Sequence, residues 1–142
     1  MNFDALAWSV ADGSHDGSPI VIRFRQFPDS FPRADYPHRL NLFWSLAVPA
    51  ENGLPSKSDT EALHLFEDRL VAAVETDNQA ILSVVLTGKN QREFVFQTTA
   101  TQDFLRRLTE MPQEEKRYPI QIEYNEDATW DYFDRVIRDI KQ

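Results

Sequence analysis

From Arg39 to Val48 the chain alternates without a break: Leu40, Leu42, Trp44, Leu46 and Val48 fall on one side, Asn41, Phe43, Ser45 and Ala47 on the other. Successive side chains of a strand point to opposite faces, so this segment reads as a strand with one face that must be covered. The covering material is also present. Leu63, Phe66, Leu70 and Val74 recur at spacings of three and four, which is the stripe of an amphipathic helix running to about Thr76. Either Ser58 or Asp59 opens that helix, and Ser58 with Glu61 three residues on fits a capping box. A second helix spans Thr101 to Met111, buries Phe104, Leu105 and Leu108, and stops near Pro112.

Further period-two segments surround these helices. Phe3 to Val10 reads as a first strand. Pro19 to Phe27 reads as a second, with Ile20, Ile22 and Phe24 on one side and Arg23 and Arg25 on the other. The intervening Asp12-Gly13 and Asp16-Gly17 are turn chemistry, so the two strands form a hairpin. Pro28, Pro32 and Pro37 then interrupt regular structure. Ala80 to Thr87 and Arg92 to Thr98 form a hairpin about Gly88-Lys89-Asn90-Gln91, and Tyr118 to Tyr124 is a last strand. Thr129 to Lys141 is a closing helix with Trp130, Phe133, Ile137 and Ile140 on one face. The expected fold class is α+β: a ferredoxin-like β-α-β-β-α-β core with an N-terminal β-hairpin and an extra C-terminal helix. In that arrangement two helices cover one face of an antiparallel sheet and the other face is open.

At 142 residues, with 42% hydrophobic residues, the chain reads as a single domain over 1–142. No cysteine is present, which excludes disulfides, thiolate nucleophiles and cysteine metal sites. Met1 to Leu6 lacks the basic and apolar regions of a signal peptide, and no apolar run reaches membrane-spanning length. A cytoplasmic protein is expected. A formal charge of −8 argues against nucleic acid and anionic membranes as partners, while leaving room for a protein partner or a homo-oligomer.

Several phrases carry a resemblance. They are Trp8 with the Asp16-Gly17-Ser18-Pro19 turn, Tyr36-Pro37 before the Leu40–Leu46 strand, and Gly53-Leu54-Pro55. The helix segment Phe66-Glu67-Asp68-Arg69-Leu70, the hairpin Thr87-Gly88 with Arg92 to Phe96, and Asp127-Ala128-Thr129-Trp130-Asp131-Tyr132 complete the set. Together they resemble a bacterial family of unknown function, domain-of-unknown-function family 695. The resemblance implies no reaction, cofactor or site residue.

The residues themselves offer few chemical constellations. Glycines at 13, 17, 53 and 88 make neither a phosphate loop nor a dinucleotide fingerprint, and no serine lies in a nucleophile elbow, so no cofactor is expected. His64 shares a helix face with Glu61, Glu67 and Asp68, a spacing a metal could use, but one better read as the solvated side of the helix. Glu93 and Glu123 point away from the helix-covered face and suit acid–base work, with Arg23 and Arg25 as neutralising partners. Arg23, Arg25 and Arg92 could alternatively make an anion site. Phe43 and Gln97 mark the open sheet face, and Trp130, with Trp8, Tyr132 and Phe133, could line a pocket under the last helix. The balance leans away from an enzyme. The leading expectation is a protein-interaction or regulatory module using the open sheet face or an edge strand. The alternative is a small-ligand-binding protein or enzyme with a pocket between sheet and terminal helix.

Overall fold

The computed structural model describes residues 2–140. Its alternating segments build one antiparallel sheet from β1 (Trp8–His15), β2 (Ser18–Arg25), β3 (His38–Ser45), β4 (Ala80–Gly88), β5 (Gln91–Thr98) and β6 (Ile120–Glu126). Asp16 and Gly17 join β1 to β2 with φ of 52° and 80°, and Lys89 and Asn90 join β4 to β5 with φ of 54° and 63°. Two successive left-handed residues give the turn whose twist matches a hairpin. The first strand therefore starts later than its sequence suggests and runs straight through Asp12-Gly13, which pair with Val21 and Ile20. Phe3–Ala5 is a short 3₁₀ turn that tucks Phe3 into the interior.

The strand order is β1-β2-β4-β5-β3-β6. A four-stranded ferredoxin-like layout does not describe this sheet. The N-terminal hairpin is part of it, because Ile20 to Phe24 hydrogen-bond along Gly88 to Val84 and continue the sheet past β4. What stands is a mixed α+β protein, with six antiparallel strands and three α-helices among the described residues.

Helices α1 (Lys57–Glu75) and α2 (Thr101–Glu110) lie on one face. The stripe Leu63, Phe66, Leu70 and Val74 is fully buried against Leu40, Leu42, Leu82, Val85, Phe94 and Phe96, with Phe104 and Leu108 from α2. Each such side chain contributes about 1.5–3 kcal/mol on burial. The cap of α1 is Ser56, neither Ser58 nor Asp59: its hydroxyl accepts from the Asp59 amide at 3.1 Å. Asp59 instead turns outward from the helix and accepts from the Ala47 and Val48 amides at 2.9 and 3.0 Å, tying the loop after β3 to the helix start.

The opposite face is not open. Ile81, Val84 and Val95 on that side are completely buried, covered by α3 (Asp131–Ile140) and by Phe3, Phe31 and Tyr36. Phe133 from α3 and Trp130 just before it complete this second core, with Phe27 edge-on to both at ring-centroid distances of 4.9 and 5.2 Å. The closing helix begins at Asp131, after Trp130 has turned through a φ of 59°. The proline-interrupted segment thus works as an aromatic cover. Its role escapes periodicity because it is neither helix nor strand.

Candidate functional site

The sheet separates the sequence-derived candidates into two groups. Arg23, Arg25 and Arg92 face α1. Arg23 forms a two-pronged ion pair with Glu67, one prong at 3.1 Å, and Arg25 meets Glu75 at 3.0 Å in a nearly dry setting. Both guanidiniums flank the Trp8 ring, at 4.6 and 4.7 Å. Arg92 donates through Nε to Thr87 Oγ1 at 2.8 Å, and burial, with Arg23 nearby, holds its pKa below the ordinary value. Arg23 and Arg25 consequently do not neutralise Glu93 and Glu123, which lie on the far side of the sheet. Residue alternation fixed their shared side but not which helix that side would meet.

Phe43, Glu93, Gln97 and Glu123 share the face of α3. Glu123 is exposed on the edge strand β6, and Phe43 is half-buried. Gln97 is fully buried and donates to the Tyr36 carbonyl at 3.0 Å, an oxygen that also accepts from the Trp130 indole at 3.0 Å. Trp130 and Gln97 therefore anchor the aromatic cover and do not line a cavity. His64 is exposed and Glu67 is engaged by Arg23; among the described residues no group of three metal-ligating side chains is arranged around a common point.

Glu93 is different. It is 8% exposed, and one oxygen, Oε2, accepts from Asn41 Nδ2 at 2.7 Å and from the Tyr132 hydroxyl at 2.6 Å. Behind them, Arg39 donates Nε to Asn41 Oδ1 at 2.9 Å and NH1 to Asp127 at 2.8 Å, and its guanidinium lies 4.6 Å from the Tyr132 ring centre. Asp127 in turn accepts from the Asp131 amide at 3.0 Å, which holds the first turn of α3. The chain Asp127–Arg39–Asn41–Glu93–Tyr132 links β3, β5 and α3. Burial and the neighbouring Glu93 carboxylate push the Tyr132 phenol far above its ordinary pKa, so it stays protonated and donates. The second oxygen of Glu93, Oε1, receives no hydrogen bond from a described side chain or turn amide, and Glu93 lies in the wall of a cavity.

That cavity, about 420 Å³, is bounded by Ile20, Leu86, Thr87, Lys89, Glu93 and Tyr132. A second, about 440 Å³, shares His15, Ile20 and Leu86 with it and continues beneath α3 between Ile22, Val136 and Ile140. The two make a groove with apolar walls and one buried carboxylate. A larger concavity of about 680 Å³ lies between the 3₁₀ turn and α1, but its buried acid, Glu75, is already committed to Arg25 and to the Leu82 amide. Of the Glu93 network, the sequence singled out Glu93 and placed Tyr132 near a pocket. Asn41, a polar residue between Leu40 and Leu42, was the available hint of a buried polar chain.

No helix among the described residues is long and apolar enough to cross a membrane. No curated protein and no solved structure matches the chain. The model of a family of unknown function, DUF695, matches residues 7–136, a span that holds β1 to β6, the core under α1 and α2 and the whole Glu93 network, while Phe3 of the second core lies before it. The chain belongs to the family of unknown function DUF695.

Proposed function

We propose that this protein binds a small molecule in the groove between the N-terminal hairpin, β4 and α3, and that Glu93 receives its cationic or hydrogen-bond-donating end. The carrying observation is the buried carboxylate whose Oε2 is saturated by Asn41 and Tyr132 while Oε1 carries no donor at the cavity wall. A buried charge is costly unless it is paired, so a ligand ammonium or guanidinium is the complement such a site favours. Ile20, Ile22, Leu86 and Val136 supply a wall for an apolar body. The ligand class is therefore an amphipathic amine, and the reading assigns no reaction.

The test is a titration of isotope-labelled protein with phenethylamine, followed through backbone amides, alongside the isosteric variant Glu93→Gln. Saturable shifts at Leu86, Glu93 and Tyr132, weakened roughly ten- to a hundredfold by the variant, support the reading, since hydrogen bonds to charged groups contribute about 1.5–3 kcal/mol. No saturable shift, or equal binding by the variant, refutes it.

A second reading keeps the protein-interaction role, with an edge strand in place of the closed sheet face. β1 borders the sheet on its free side, contains neither lysine nor proline, and exposes 65% of Val10, which favours addition of a strand from a protein partner or a second copy. The order β4-β5-β3-β6 within the sheet supports viewing this part as a split βαβ unit of ferredoxin-like type, extended by the hairpin. A cytoplasmic location remains part of the proposal, on the absence of cysteine.

A further inference from the structure

The face of the sheet opposite Glu93 carries a separate cavity. It lies where the end of β3, the first half of α1 and the segment before β6 meet, and encloses about 340 Å³. Trp44, Ala62, Leu65 and Tyr118 form its apolar wall, with Leu65 41% exposed, and the ring centres of Trp44 and Tyr118 lie 5.8 Å apart.

Three features say what chemistry this wall lacks. Trp44 is only 5% exposed, and its indole Nε1, closed off from solvent, has no acceptor among the described residues. A buried donor without a partner is uncommon and costs about 1–3 kcal/mol. The two acids at the cavity are already engaged: Asp59 accepts from the Ala47 and Val48 amides, and Glu114 pairs with Arg69 at 3.1 Å. Arg69 also donates to the Tyr118 hydroxyl at 3.0 Å, which fixes that ring in the wall. The two cations at the rim, Lys116 and Arg117, are both exposed, and neither forms an ion pair with a described residue. In a chain of net charge −8, two adjacent unpaired cations over an apolar cavity stand out.

We propose that this cavity is a binding site for a small aromatic carboxylate, its ring against Trp44 and Tyr118 and its carboxylate met by Lys116 and Arg117. The aromatic body follows from the two ring walls, which favour stacked or edge-on partners. The anionic end follows from the uncommitted cations. The volume falls within the range of small-molecule sites, about 300–1,000 Å³. This site stands independently of the Glu93 groove, from which the sheet divides it.

The experiment is a titration of the ¹⁵N-labelled full chain with phenylacetate, reading the three tryptophan indole resonances, with that of Trp44 assigned by Trp44→Phe. Phenylacetamide, which has the same ring and no charge, is the comparison ligand, and the double variant Lys116→Gln/Arg117→Gln is the comparison protein. The expected result is a saturable shift of the Trp44 indole, about fivefold weaker affinity in the double variant, and still weaker binding of phenylacetamide. Both substituted residues are exposed, and unchanged Trp8 and Trp130 indole signals certify that the variant is folded. Glu93→Gln should leave the titration unchanged. Absence of a saturable Trp44 shift overturns the proposal, as does equal binding of phenylacetamide or of the double variant. An effect of Glu93→Gln equal to that of the double variant would place the binding at the other groove and overturn it too.

Discussion

Glu75 closes α1 with its carboxylate 3.0 Å from Arg25 and its Oε2 accepting from the Leu82 amide at 2.9 Å, both charged side chains being about as buried as the core. Burial pushes its pKa up from the ordinary 4.5, and Asp4 adds to this; Arg25 and the Leu82 amide pull it down without prevailing. A carboxyl whose folded pKa exceeds its unfolded value holds its proton longer in the native state. The contribution of Glu75 to stability is then greatest below about pH 4.5 and declines as pH rises through its folded pKa. Glu75→Gln keeps an acceptor for Leu82 and removes the ionisation. Urea denaturation from pH 4 to 7 should therefore show the variant matching the native protein at pH 4 and gaining on it towards neutrality. A variant less stable than the native protein at pH 7 would mean that the attraction of Arg25 outweighs burial. The same pair shows what one residue's sequence context withholds: alternation put Arg23 and Arg25 on one side, but their partners Glu67 and Glu75 lie 44 and 50 positions further on, on a helix whose docking direction no local pattern specifies.

Among the elements, α1 provides the sharpest test of local chemistry. Ser56 caps it, whereas the Ser58 hydroxyl lies inside the first turn, 3.2 Å from that of Ser56. Ser56→Ala should destabilise the protein by about 1 kcal/mol, and Ser58→Ala by a few tenths, measured by chemical denaturation. Both serines precede the stripe with plausible cap spacing, and tertiary contact chooses between them, because Asp59 at the third helical position reaches back to the Ala47 and Val48 amides. In β4 the pairing slips between Leu82 and Val84, leaving Ser83 as the extra residue with its hydroxyl on the Val95 carbonyl at 3.1 Å. The slip puts Ile81 and Val84 in one core and Leu82 and Val85 in the other. A strand buried on both faces is apolar throughout, so its alternation carries no phase and the bulge was not legible. The Lys89-Asn90 turn was legible, because a two-residue link between complementary strands admits few conformations.

Taken whole, the molecule is a sheet between two unlike covers, and the second cover decides what its surface offers. A chain ending at Glu126 would lack Trp130, Phe133 and the rest of α3 and would uncover Ile81, Val84 and Val95. It should bind a hydrophobic dye and lose cooperative unfolding; a dye-silent, cooperative fragment would show that the second core is dispensable. The sequence alone determined β2 to β6 and the helices, the helix-facing stripe of α1, the hairpin at Lys89-Asn90 and membership of a family without an assigned reaction, because periodicity, turn chemistry and characteristic phrases are local; the first strand, expected over Phe3 to Val10, forms over Trp8–His15 instead. Tertiary structure alone decided that the hairpin extends the sheet beside β4, that the supposedly open face is closed, and that Glu93 meets Asn41, Tyr132 and, through Asn41, Arg39. These depend on which surfaces meet across 39 to 88 residues of chain, and that choice is made by the summed burial of two cores, which no single segment encodes.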